Sequence, residues 1–206
     1  MHYILIPCKP LREGKSRLAS VLSAAARQKL CADLLRNSLR LALILQPAAR
    51  VRVVTPDPDA HDIAKAQGVA TIEDRGVGLN AAVRRGLDAI LATAGADAAA
   101  LILPIDLAFA TADSVARAFS GTADVVLAPD AERRGTNLLF LRRRALSVFA
   151  LAFGRSSFAA HRDGATRAGL SLEILDDPRL AFDLDEPDDY RCWVQKAPRQ
   201  TAKPGL

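Results

Sequence analysis

The chain reads as an α/β protein, a doubly wound layer sandwich in which a mostly parallel sheet carries helices on both faces. Three observations predict this. Short runs of β-type apolar residues alternate with helical patterns along the first two thirds of the chain. Those runs are near-continuous in Val, Ile, Leu and Ala, as strands buried on both faces are. At 206 residues, half of them hydrophobic, the chain can bury one sizeable core, and no linker divides it.

Taken in order, the predicted strands are Tyr3–Pro7, Val51–Thr55, Val69–Glu73, Ala99–Pro104 and Asp124–Pro129. Between the first two, Leu30, Leu34, Leu41 and Leu45 share one helical face. A second helix starts after the segment TPDPD, and a third, LNAAVRRGLDAILATA, follows the glycines at 76 and 78. After Pro129 the rhythm changes: a polar glycine-containing loop, the strand TNLLFL and a helix, then a loop, a helix and another strand, with FDLDEPDDY closing the core. One domain over 1–195 is expected, with 196–206, polar and with two prolines, as a flexible tail.

Composition excludes several classes. No apolar run approaches the length of a membrane span, and the N-terminus has neither the hydrophobic length nor the small-residue cleavage site of a secretory signal, so a cytoplasmic protein with no membrane partner is expected. Cys8, Cys31 and Cys192 are an odd set with no CxxC spacing, which suggests neither a disulfide framework nor a zinc site. Cys8 reads as core filler, because no histidine can be placed beside it. The net charge of +5 is spread along the chain, with only seven Phe, two Tyr and one Trp for base stacking. No nucleic acid partner is expected; small phosphorylated anions fit the charge at least as well.

In an open parallel sheet, ligands bind outside the carboxyl ends of the strands, so the loops after Pro7, Thr55, Glu73, Pro104 and Pro129 are where chemistry is sought. The first, PCKPLREGKSRLAS, carries Lys9, Arg12, Lys15 and Arg17 around Gly14, where this kind of fold receives phosphates. It matches neither common nucleotide fingerprint, and a solvated basic loop is the alternative. Asp106 closes the run AALILPID, and a carboxylate at the end of a buried strand is costly unless paired. Asp183 and Asp185, two apart, would lie side by side in an extended segment and invite a hard divalent cation such as Mg²⁺, with Asp106 completing an oxygen-ligand set. The alternative makes Asp185 the start of a helix with Pro187 at its first position and Asp183 a surface contact. His2, His61 and His161 pair with no serine or cysteine in a local motif, so a Ser-His-Asp hydrolase is unsupported. His161 reads as a packing or substrate-contact residue.

Six motifs in order, IPCKPLREGKSRLAS, DRGVGLNAAVRRGLD, LPIDL, RRGTNLLFL, FGRSSFAAHRDGATRAGL and FDLDEPDDY, resemble those of the phospholactate and phosphoenolpyruvate guanylyltransferases of coenzyme F420 biosynthesis. The resemblance covers the chain to about Val194. It implies a single-domain three-layer nucleotidyltransferase fold of the GT-A, Rossmann-like kind, and transfer of GMP from GTP to a small phosphorylated carboxylic acid. It also implies roles. Pro7, Lys9, Lys15 and Arg17 form the loop that holds the triphosphate, with Lys15 stabilising charge at the α-phosphate. Gly78, Leu79 and Asn80 contact the nucleotide, the Asn80 amide offering a donor and an acceptor. Asp106, Asp183 and Asp185 bind metal, and Asp106 with Lys15 is catalytic and touches the nucleotide. Gly135, Thr136, Asn137, Gly154, Ser156 and Ser157 line the substrate pocket.

The implied mechanism needs little beyond position and charge. A phosphate monoester is already largely ionised, so its attack on the α-phosphorus requires no general base, and Mg²⁺ with Lys15, Lys9 and Arg17 brings two polyanions together. Two departures bear on the acceptor. LAFA follows Asp106 where the family commonly has a proline after DL, and Glu186 stands where Thr would cap a helix better. 2-Phospho-L-lactate, phosphoenolpyruvate and 3-phosphoglycerate therefore stay open. The competing readings are a nucleotidyltransferase with another base or acceptor, such as molybdopterin or a sugar phosphate, and a non-catalytic nucleotide-binding protein. The apolar content is compatible with a homodimer.

Overall fold

A computed structural model describes residues 1–94 and 97–196, so the expected tail, apart from Lys196, lies outside the described residues. The elements run β1 (His2–Pro7), α1 (Ala24–Leu45), β2 (Val51–Thr55), α2 (Pro58–Ala66), β3 (Ala70–Glu73), α3 (Leu79–Ala94), β4 (Ala99–Ile102) and α4 (Ala112–Ala116). They continue with β5 (Val125–Pro129), β6 (Thr136–Arg142), α5 (Ala145–Val148), α6 (Ser157–Arg167), β7 (Leu172–Ile174) and α7 (Pro187–Lys196). No helix among the described residues is long and apolar enough to cross a membrane.

The strands form one seven-stranded sheet in the order β3-β2-β1-β4-β6-β5-β7. β3, β2, β1 and β4 are parallel neighbours; β6 runs against both β4 and β5, and β7 is parallel to β5. The chain steps outward from β1 to β3 and then crosses back to β4 on the other side of β1. That reversal opens a crevice beyond the carboxyl ends of β1 and β4, where an open α/β sheet binds its ligand. Ile102 at the end of β4 pairs with Leu139, three residues into β6. Thr136 and Asn137, at the start of β6, therefore share the edge where the parallel strands end.

Alternation along β1 sorts the core. Ile4 and Ile6 face a cluster with Leu35, Leu39 and Ala42 of α1, Ala60 and Ala64 of α2 and Val115 of α4. Tyr3 and Leu5 face Val83, Leu87 and Ile90 of α3, Leu146 of α5 and Phe158 and Ala165 of α6. Each fully buried aliphatic side chain contributes about 1.5–3 kcal/mol. Gly86 brings α3 close to the sheet: a Cβ there would lie 2.5 Å from Leu5 Cδ2 and 2.9 Å from Val54 Cγ2. The helix starts follow local chemistry. The Ser23 hydroxyl accepts the Ala26 N–H, Asp57 caps α2 ahead of Pro58, and Thr111 with Ser114 forms a reciprocal capping box.

His161 on α6 is fully buried. The Ala152 N–H donates to its Nε2 at 2.9 Å, so the ring hydrogen sits on Nδ1, 2.9 Å from Thr136 Oγ1. Phe149 and Phe153 pack against the ring. Burial pushes this imidazole down to about 4 from 6.5. As pH falls from 6.5 toward 4 the unfolded chain takes up a proton that the folded one refuses, and roughly 3 kcal/mol of stability is lost. Denaturant melts at about pH 7 and about pH 4.5 check this: His161→Phe should start less stable, yet lose roughly 2 kcal/mol less than wild type on acidification.

Candidate active site

A cavity of about 850 Å³ opens at the carboxyl ends of β1, β2 and β4. Lys9, Lys15, Arg17, Gly78, Leu79, Asp106 and Asp185 line it together with Asp74, Gly76 and Phe153. Its cationic wall is the loop from residue 8 to 20, which leaves β1 and makes two short 3-10 turns before α1. Two contacts fix that loop. The Leu11 N–H donates to Asp57 Oδ2 at 2.5 Å, while Asp57 Oδ1 takes the Asp59 N–H at 2.9 Å, so one carboxylate caps α2 and holds the loop. Gly14 rests on α1 so closely that a Cβ would lie 2.5 Å from Cys31 Sγ.

The next residue, Lys15, has φ 52°, left-handed backbone that a lysine adopts only at a cost of roughly 1–2 kcal/mol. That turn carries its side chain, 6% exposed, between two carboxylates: Nζ is 2.9 Å from Asp185 Oδ1 and 3.2 Å from Asp106 Oδ2. Burial alone would lower the Lys15 ammonium, but Asp106 and Asp185 outweigh it and hold it above the ordinary lysine range. Arg17 reaches Asp185 at 3.3 Å and Glu186 at 3.2 Å, from a side chain 65% exposed, so these outer pairs are weak. Lys9 stands exposed at the cavity wall. The partner of Asp106, expected to be a metal ion, is in this structure the Lys15 ammonium.

The segment carrying Asp183 and Asp185 is fastened from several sides. The Leu184 N–H donates to the Asp106 carbonyl at 3.0 Å, and Phe182 packs on Phe109 with ring centroids 4.5 Å apart. The unexpected LAFA sequence therefore supplies an aromatic contact between the two acidic segments. Pro187 opens α7, as in the helix-start alternative for Asp185, and the Asp185 carboxylate turns to Lys15. Glu186 needs no hydroxyl, because Asp189 Oδ2 accepts the Glu186 and Asp185 N–H groups at 2.7 and 3.1 Å. Asp183 takes one bond, from Asn137 Nδ2 at 3.4 Å. Burial, then the charge of Asp106, pushes its carboxyl up to about 6.

These carboxylates fit magnesium in one particular way. Three acids with one of them raised by burial and like charge form a donor set that a hard cation would relieve. Yet among the described residues no group of three or more His, Cys, Asp or Glu side chains is spaced as a metal cage. That suits an ion held by one or two carboxylates together with substrate phosphates.

The remaining expected residues are placed differently. Asn80 does not offer its amide to the cavity: Nδ2 donates to the Phe153 carbonyl at 2.9 Å and Oδ1 accepts the Phe153 N–H at 2.8 Å. Thr136 is buried against His161, and the Asn137 amide donates to the Leu180 carbonyl at 3.0 Å. The Gly135 N–H donates to Asp130 Oδ2 at 2.7 Å, where a Cβ would crowd that oxygen at 2.8 Å. Gly154 and Ser156, both at positive φ, lead into α6, whose first residue, Ser157, is buried. None of these lines the cavity. Asp57 and Asp74 do matter there and were not singled out from sequence, although TPDPD marked a helix start and Asp74 opens the motif DRGVGLN; Gly14 was named in the basic loop, but not its contact with Cys31.

The fold is one found among solved nucleotidyltransferases. A nucleotidyl transferase from Methanothermobacter superposes with a TM-score of 0.65 at 14% identity, covering 93% of this chain and 95% of that one. CMP:2-keto-3-deoxy-manno-octonic acid synthetase complexed with CTP does so at 0.64 and 14% identity, covering 94% and 98%. At sequence level the profile "Guanylyl transferase CofC like" matches residues 2–195, and the chain belongs to that family. It is 40% identical over 196 residues to a phosphoenolpyruvate guanylyltransferase of Chloroflexus aggregans, covering 92% of this chain and 95% of that protein. It is also 41% identical over 182 residues to a 3-phospho-D-glycerate guanylyltransferase of Phenylobacterium zucineum, covering 85% and 82%. The chain is thus an enzyme of the guanylyltransferase kind.

The packing of Gly14 can be tested through its partner. Gly14→Ala should lower pyrophosphate release from nucleoside triphosphate about tenfold by lifting Lys15 from the acids, and Cys31→Ala in the same chain should restore most of it. Unchanged release in the single variant would detach the loop's position from Cys31.

Proposed function

We propose that this enzyme transfers GMP from GTP to the phosphate of a small three-carbon phospho-acid, releasing pyrophosphate, as a step in coenzyme F420 assembly. The observation that carries it is the Lys15 ammonium held between Asp106 and Asp185 at the foot of a strand-end cavity, in a chain of the guanylyl transferase family. The acceptor class follows from the relatives' names, phosphoenolpyruvate and 3-phospho-D-glycerate, each a carboxylate joined to a phosphate. 2-Phospho-L-lactate has the same two groups.

Lys9, Lys15 and Arg17 supply positive charge to the triphosphate and to the attacking phosphate, two anions that repel unless neutralised. Asp106, with Asp183 or Asp185 as a second carboxylate, would hold magnesium, which supplies Lewis-acid neutralisation of the phosphates when bound. No side chain has to take a proton, since the attacking oxygen is already ionised. This agrees with His161 being buried and fully hydrogen-bonded, away from the cavity lining. With the Asn80 amide engaged by Phe153, base selection falls to Asp74: a carboxylate accepts from both N1–H and the 2-amino group of guanine.

Pyrophosphate release with GTP, Mg²⁺ and each phospho-acid in turn, with mass analysis of the product, tests the reaction. Turnover with one acid names the acceptor, and turnover with none overturns the reading. Asp106→Asn should lower kcat at least about 100-fold while the melting curve keeps its cooperativity, and chelation should mimic it in wild type. Asp74→Ala should shrink the preference for GTP over ITP, which lacks the 2-amino group, to about one; a preference kept intact would remove Asp74 from base selection.

A further inference from the structure

The segment between α5 and α6 has no regular structure through residues 149–156, yet it places Phe153 in the cavity wall. Gly154 at φ 140° and Ser156 at φ 59° are backbone states that local sequence holds poorly, so the segment needs external pins. It has three. Asn80, in the first turn of α3, takes both backbone groups of Phe153, at 2.8 and 2.9 Å. His161 Nε2 takes the Ala152 N–H at 2.9 Å. The Phe153 ring stands edge-on to the same imidazole, with centroids 4.8 Å apart. His161 is in turn tied to Thr136 at the head of β6, one residue before Asn137, whose amide meets Asp183. A continuous chain of hydrogen bonds and peptide links thus runs from α3, across the cavity wall, to the acidic segment.

We infer that Asn80, Phe153, His161 and Thr136 act as one strap setting the width of the nucleotide pocket, with Asn80 and His161 as positioning residues that do not contact the base. The inference rests on GTP occupying this cavity, as proposed above. Its logic is that of a mutually supporting network: an amide that faces two backbone groups and an imidazole that faces two partners each have one arrangement that satisfies every atom. Breaking either link frees the same loop, so the two links are coupled although their side chains lie on different helices.

The test uses the whole chain, Asn80→Leu and His161→Phe, with two readouts. Hydrogen exchange in the free protein should speed at both the Ala152 and Phe153 amides in each variant, including the amide whose direct partner is intact. Calorimetric binding of GTP and of ITP, with Mg²⁺, should weaken about tenfold for both nucleotides with their ratio unchanged, and the double variant should be no weaker than either single one by more than about twofold. Thr136→Val, which keeps His161, should act in the same direction and serves where His161→Phe does not fold. Exchange confined to each variant's own partner, additive losses, or a changed GTP-to-ITP ratio in Asn80→Leu would overturn the strap, the last by making Asn80 a base contact. Wild type that binds neither nucleotide would overturn the proposed reaction, while exchange would still decide whether the strap is one unit.

Discussion

Two carboxylates at the end of a buried sheet, Asp106 and Asp185, would repel each other and resist burial on their own. The Lys15 ammonium between them removes both problems, and much of the surrounding structure exists to bring it there. Lysine is a long chain with a strongly hydrated head, so burying it is itself unfavourable unless opposite charges meet it. The left-handed turn at Lys15, the seat of Gly14 on Cys31 and the grip of Asp57 on Leu11 all restrain a loop that would otherwise leave the ammonium in water. The acidic partner is restrained from the other side by Leu184, Phe182 and Asp189.

The elements most legible in the sequence were those fixed by periodicity and punctuation. α3 spans Leu79–Ala94, the segment marked by its glycine-rich start, and β1, β2 and β6 fall within a residue of the apolar runs that signalled them. Strand direction was less legible. Nothing in TNLLFL distinguishes an antiparallel strand from a parallel one, because with both faces buried it shows no alternation. The acids and Lys15 could be named, since charge at the end of an apolar run is unusual; their pairing could not, because it spans 91 and 170 residues of sequence. Asn80 shows a different limit. An amide in a glycine-rich loop beside a phosphate-type site suggests a ligand contact, and only the fold reveals Phe153 at hydrogen-bond distance on both of its polar atoms.

The charge distribution also explains which side chains the chemistry can do without. A transfer between phosphates asks for cations and geometry, and the histidines are correspondingly spent elsewhere: His2 stacks on Phe119, His61 meets Thr71 and His161 ties a loop. The thiols are equally uninvolved in the proposed transfer. Burial, with Cys31 and Asp57 nearby, pushes Cys8 up to about 12, so it stays a neutral packing group despite its place in the cavity wall.

The reversed strand β6 has a consequence for how such a sheet can diversify. Because it runs against β4, the hairpin that precedes it opens on the same edge as the loops of the parallel half, whereas the chain leaving Arg142 turns away at the opposite edge. Residues 130–135 can then change in length or sequence without altering the register of β1, β2, β3 or β4, since no strand of that group is threaded through them. The sheet is modular in this sense: half of it is constrained by the fixed geometry of crossover connections, and the other half ends in a hairpin held instead by backbone bonds from Ala131 to Ala181 and from Phe158 to Arg134.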